Sequence, residues 1–276
     1  MHDHGGVSTS VLLDAVLGLP LALALIAYAG GMLLQRRRGT PWPLRRGILW
    51  FAGVIAAAAG SVGPLASAAH ADVVAHMWTH LLVGMIAPLL LVGGAPITLA
   101  LRCLHVDVAR RVSRLLRSRP ARFVSAPVTA AVLNVGGLWV LYGTPVFAMM
   151  QQSMLVHLAV MTHVLVAGYL FTASIIPVDP APHRAGFPLR AVVLVAALAG
   201  HGILAKVLYA NPPAGVDASA GRDGALLMYY GGDVVDAVII VVLCAQWYRH
   251  VGRRLARGDQ RITENSRSLR GASAPG

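Results

Sequence analysis

The chain has 276 residues, 57% of them hydrophobic and only 12% charged, with a formal net charge of +12. A mean hydropathy of +0.67 is too high for a soluble domain or a disordered chain, and two cysteines are too few for a disulfide scaffold. A membrane protein remains.

A helix that crosses a bilayer needs roughly 20 mostly apolar residues. Seven such stretches follow one another at 11–34, 47–69, 77–101, 123–143, 154–177, 190–210 and 225–247. The joints between them are short, which predicts one all-α domain over 1–248, a polytopic bundle of seven transmembrane helices. The first stretch is expected to stay as a helix rather than be cleaved as a signal peptide. Met1 to Gly6 carries no Lys or Arg, and the long apolar run leads into Arg36–Arg38. In the third stretch Pro88 and Pro96, with Gly93 and Gly94, predict a bend, because each proline removes an amide donor. Residues 249–276 are basic, lack apolar periodicity and are expected to form a disordered tail.

The distribution of charge explains its sign. Of 23 Lys and Arg residues, 21 lie in 35–46, 102–122, 178–190 and the tail, which are alternate joints; the exceptions are Lys206 and Arg222. Short cytoplasmic loops are enriched in Lys and Arg, so this parity predicts the N-terminus outside and the C-terminus in the cytoplasm. The basicity is thus read as a topology signal with some attraction to anionic membrane lipid, not as nucleic-acid binding. Trp42, Trp50, Trp247 and Tyr248 fall at the inner interface; Trp78, Trp139, Tyr142, Tyr209, Tyr229 and Tyr230 fall near the outer one. Cys103 and Cys244 map to cytoplasmic helix ends, where ordinary thiols are expected.

An ionisable side chain inside a bilayer costs about 2.5–3.5 kcal/mol on insertion scales, so each one is a candidate functional group. If the third helix starts ahead of its apolar stretch, it presents Asp72, His76 and His80 at i, i+4 spacing, stepping inward by about 6 Å each. The fifth carries Met154, His157 and Met161 on one face, with His163 about 9 Å deeper than His157. His201 comes near the middle of the sixth stretch, and Asp233 and Asp236 form an i, i+3 pair in the seventh. Four helices thereby bring imidazoles or carboxylates to the outer half of one bundle. Neutral imidazole is the commonest metal ligand. Thioether adds a preference for Cu(I), and Met77, Met85, Met149, Met150 and Met228 also fall in that half. The competing reading is that each histidine only hydrogen-bonds between helices, for about 0.6–2 kcal/mol, and that each Met only fills space. No glycine-rich phosphate loop, paired-cysteine knuckle or serine-nucleophile elbow accompanies these groups.

The stretch His76-Met-Trp-Thr-His80, followed by Ala87-Pro88 and Gly94-Ala95-Pro96, resembles the CtaG-like cytochrome c oxidase assembly factors associated with caa-type oxidases. So do His157 through His163, Gly168-Tyr-Leu-Phe171, Pro177-Val-Asp179-Pro180 and Gln246-Trp247-Tyr248. The loop 211–224 departs from that pattern. The resemblance implies a non-enzymatic assembly factor of a bacterial plasma membrane that helps copper reach a haem-copper oxidase from the outer face, with oxidase subunits and an extracytoplasmic copper donor as partners. It carries over His76, His80, His157 and His163 as matched positions. The residues alone leave two alternatives open: histidines as axial ligands of a membrane haem, or a metal transporter, for which Asn134 is one of few polar groups on an inward path.

Overall fold

The computed structural model describes residues 4–212 and 216–272, with side chains over 14–212 and 216–253. Among the described residues every regular element is helical. Six helices are long and apolar enough to cross a membrane, and Pro127–Gly143 with Val146–Gln152 makes a seventh only if the pair, bent by 77°, counts as one span. The fourth predicted stretch is thus a short, broken segment, because Thr144 and Pro145 interrupt it where seventeen residues fall short of a bilayer's width.

Helix α1 (His4–Arg37) lies at the edge of the bundle and turns Leu19, Leu23 and Ile26 outward. Helices α2 (Leu44–Ser61) and α3 (Pro64–Ala68) lead to α4 (Val73–Leu81), whose first turn is capped by Asp72: the carboxylate accepts from the Val74 amide at 2.9 Å. A π-turn (Leu82–Ile86) joins α4 to α5 (Ala87–Gly93). It accommodates the missing amide of Pro88, so the span continues past that proline. The break comes at Ala95, in the left-handed region with φ 52°, just before Pro96 opens α6 (Pro96–Cys103).

At this end α7 (Val106–Leu116) and α8 (Arg119–Val124) carry the arginines of the second basic joint. The broken segment comprises α9 (Pro127–Ala131), a second π-turn (Val132–Gly136), α10 (Gly137–Gly143) and α11 (Val146–Gln152). Ser153 caps α12 (Met154–Ile175) through the Val156 amide. Helices α13 (Phe187–Ala210) and α14 (Ala218–Ala272) complete the bundle. Asp217 precedes α14 and accepts from the Ser219 hydroxyl and the Ser219 and Ala220 amides. Those bonds, the hydroxyl's first, hold its carboxyl below the usual carboxylate range. The final helix runs on through 249 to Ala272, where the sequence led us to expect a disordered tail.

Between helices in lipid there is little hydrophobic drive, so contact depends on close packing and hydrogen bonds. Helix α2 packs on α5, and α14 on both α13 and α4. Met77, Leu204, Leu208, Ala225 and Met228 fill one layer; Phe171, Ile175, Leu194, Val235 and Ile239 fill another. At the arginine-rich end Tyr28 donates to the Gly94 carbonyl at 2.7 Å and accepts from Trp42 Nε1 at 2.8 Å. Asp179 reaches back from the α12–α13 joint to the start of α6, accepting from the Ile97 and Thr98 amides and the Thr98 hydroxyl. Arg190 is buried in the first turn of α13 and donates to the Ile175 carbonyl at 2.7 Å.

Candidate functional site

At the end of the bundle away from the arginines, the α3–α4 joint meets the α11–α12 joint. His70 is exposed there, its Nδ1 3.0 Å from Gln151 Oε1. Its ring lies 5.0 Å from that of His157, which is buried in the first turn of α12. His76, one turn into α4, is held by aromatic neighbours. Its Nε2 is 3.0 Å from the Tyr142 hydroxyl, and Phe147 meets its ring edge-on at 5.0 Å. A cavity of about 10 Å³ lies among His70, His76, His157, Met150, Gln151 and Met161.

One turn deeper, His80 faces His201 of α13, with ring centroids 6.1 Å apart. Both are buried. A second cavity of about 30 Å³ is lined by these two rings together with Asn134, Thr172 and Asp236; such a volume admits a water or a single ion. His201 packs against Gly232 of α14, where a Cβ would approach its Cε1 to 2.6 Å. Buried nitrogens are normally hydrogen-bonded. Here both ring nitrogens of His80, Nδ1 of His157 and Nε2 of His201 are buried without a hydrogen-bond partner among the described residues.

Five imidazoles on three helices and one joint therefore run inward from an exposed His70 to a buried carboxyl at Asp236. They form two pairs, His70 with His157 and His80 with His201, with His76 between them, and not a closed shell. Among the described residues no group of three or more His, Cys, Asp or Glu side chains comes together as a ready-made metal site.

Sequence spacing had placed ten residues in one pocket. The structure brings His76, His80, His157, His201, Asp236 and Met161 to the two cavities. Asp72 is exposed and spent as a helix cap, because α4 begins only at Val73. Met154 is half-buried in the first turn of α12 and lines neither cavity. His163 is exposed on the far side of α12, its Nε2 3.0 Å from the Leu133 carbonyl. Six residues past His157 is well over a hundred degrees around a helix. Asp233 is exposed too, since the buried stripe of α14 runs through Gly232, Val235, Asp236 and Ile239.

Two residues escaped the sequence reading. His70 lies in a polar joint just outside the apolar run, and Tyr142 was read as part of an interfacial aromatic belt. Neither has a local signal; both are recruited by the fold. Cys103 and Cys244 are free thiols, and Cys103 Sγ lies 3.5 Å from the Gly31 carbonyl.

Comparison with known proteins gives one family. The family model for the cytochrome c oxidase caa3 assembly factors (Caa3_CtaG) matches residues 26–250. Among curated relatives, uncharacterized proteins of Mycobacterium bovis and Mycobacterium tuberculosis are each 33% identical over 90% of this chain and 40% of their own length. A protein of Mycobacterium leprae, also uncharacterized, is 30% identical over 90% of this chain and 41% of its own. The chain thus spans about 40% of the curated relatives it matches. No solved structure matches it.

Proposed function

Because the chain belongs to the cytochrome c oxidase caa3 assembly factor family, we propose that it serves assembly of a haem-copper oxidase by holding copper on its paired imidazoles and passing it to an oxidase subunit. The cargo enters from an extracytoplasmic donor at the His70 and His157 pair, near the outer surface of the bacterial plasma membrane. It moves by ligand exchange past His76 to the His80 and His201 pair.

The single observation that supports this reading most is the set of unpartnered buried nitrogens on His80, His157 and His201. Leaving such groups unpaired costs about 1–3 kcal/mol each, and a cation bound at the lone-pair nitrogen of each neutral imidazole removes that cost for one nitrogen per ring. Pairs of ligands suit a carrier better than a closed four-ligand shell does, because release needs an open position. The thioethers of Met150 and Met161 beside the outer cavity favour Cu(I). Asp236 supplies a carboxylate to offset the ion's charge at the inner pair. Cavities of about 10 and 30 Å³ suit an ion and leave no room for a haem macrocycle, which is why haem ligation is the weaker reading. No step of this process makes or breaks a covalent bond of a substrate, so the role is that of a carrier and not of an enzyme.

Metal analysis of protein purified without chelators tests the proposal. His80→Ala and His157→Ala are expected to lose most bound copper and to lower oxidase activity in cells, with thermal unfolding of the purified protein unchanged. His163→Ala is expected to keep its copper. Wild-type copper content in both of the first two variants would overturn the proposal.

A further inference from the structure

We propose that the arginine-rich end holds a specific binding site for the phosphodiester headgroup of an anionic phospholipid, in the groove between α6 and α7. Five guanidinium groups, those of Arg38, Arg102, Arg110, Arg114 and Arg117, line one open groove of about 740 Å³. Among the described residues the only carboxylate paired with any of them is Asp107, 3.8 Å from Arg110. The groove therefore carries a large uncompensated positive charge.

Its chemistry matches phosphate in particular. Arginine presents a planar fork of donors that grips phosphate oxygens in pairs, and every cation here is arginine. Two are already positioned. Arg38 donates to the Arg102 carbonyl at 2.8 Å, and the Arg102 guanidinium lies over the Trp42 ring, 5.4 Å from its centroid.

A headgroup comes with acyl chains, and the same groove supplies apolar wall from Leu101, Leu104 and Val106. On α7 the exposed Val108 and Leu115 share one face at i, i+7 spacing, and Arg110, Arg114 and Arg117 fall around the other side. That is the pattern of a helix lying in the plane of a membrane surface with its apolar side in lipid. Helix α7 follows the third span and the short α6, at the end that the charge asymmetry assigns to the cytoplasmic leaflet, where anionic lipid is met. Free phosphate shares the polar half of this chemistry but not the apolar half, and an acidic protein segment would not need the exposed leucines.

The test uses the full chain in nanodiscs of equal parts phosphatidylglycerol and phosphatidylcholine, with bound lipid read by native mass spectrometry after extraction. Wild-type protein is expected to retain phosphatidylglycerol in preference to phosphatidylcholine. Neutralising Arg114 (Arg114→Gln) should reduce that preference about fivefold, the equivalent of about 1 kcal/mol per surface cation. The triple variant Arg110→Gln, Arg114→Gln, Arg117→Gln should abolish it. Arg111→Gln, on the same helix but outside the groove, should leave it intact, and excess inorganic phosphate should not displace the lipid. Because these side chains are exposed, the thermal transition of each variant should match wild type. Three results would overturn the proposal: retention by the triple variant, an equal loss in Arg111→Gln, or full displacement by inorganic phosphate.

Discussion

His80 and His201 approach each other across two helices that are more than a hundred residues apart in sequence, and among the described residues both ring nitrogens of His80 and Nε2 of His201 are buried without a hydrogen-bond partner. His76 differs: the Tyr142 hydroxyl fixes its ring from a distant element. Partners that orient a ligating imidazole are typically worth 10- to 100-fold in metal affinity. Tyr142→Phe should therefore weaken Cu(I) binding by about that factor, read by competition with a Cu(I) chelator; an unchanged affinity would remove His76 from the path. His163 illustrates the opposite case. It belongs to the same sequence motif as His157 but spends its Nε2 on the Leu133 carbonyl within the second π-turn, the interhelical bonding expected of an ordinary intramembrane histidine.

Among the elements, the two π-turns have the widest consequences. The first frees the region around Gly84, and Gly168 of α12 lies so close that a Cβ there would collide with the Gly84 carbonyl oxygen and come within 2.9 Å of the Pro88 ring. Backbone cannot move aside as a flexible side chain can. Gly168→Ala should cost about 1–3 kcal/mol, as overpacked interiors do, and lower the thermal transition in detergent. Gly30→Ala, which meets nothing within 4 Å, should not; equal transitions for the two would refute this account of the α5–α12 contact. The motifs Gly94-Ala95-Pro96 and Pro177-Val-Asp179-Pro180 prove to be one device. Asp179 caps the helix that Pro96 begins, satisfying amides that a proline-led helix start leaves open. Gln246 does similar work at the same end, its amide donating to the Pro177 carbonyl at 3.4 Å and its oxygen accepting from Arg184 at 3.1 Å.

On the scale of the molecule, the arginine groove and the imidazole line occupy opposite ends, which gives the bundle a direction across the membrane. If Pro127–Gln152 counts as one crossing, the two termini lie on opposite sides. Reporters fused at each terminus should then read extracytoplasmic at the N-terminus and cytoplasmic at the C-terminus; matching signals would make the segment re-entrant. Composition and run lengths were enough to read a helical membrane protein with its candidate spans and the one-turn spacing of His76 and His80, because hydropathy and the 1.5 Å rise per residue are local properties. The motif residues were enough to reach the family. Which imidazoles share a cavity was decided only by the tertiary structure. His163 lies around α12 from His157, the start of α4 at Val73 turned Asp72 into a cap, and the packing of α14 chose Asp236 over Asp233. Depth is written along the chain, whereas the direction a side chain faces depends on neighbours that folding alone brings together.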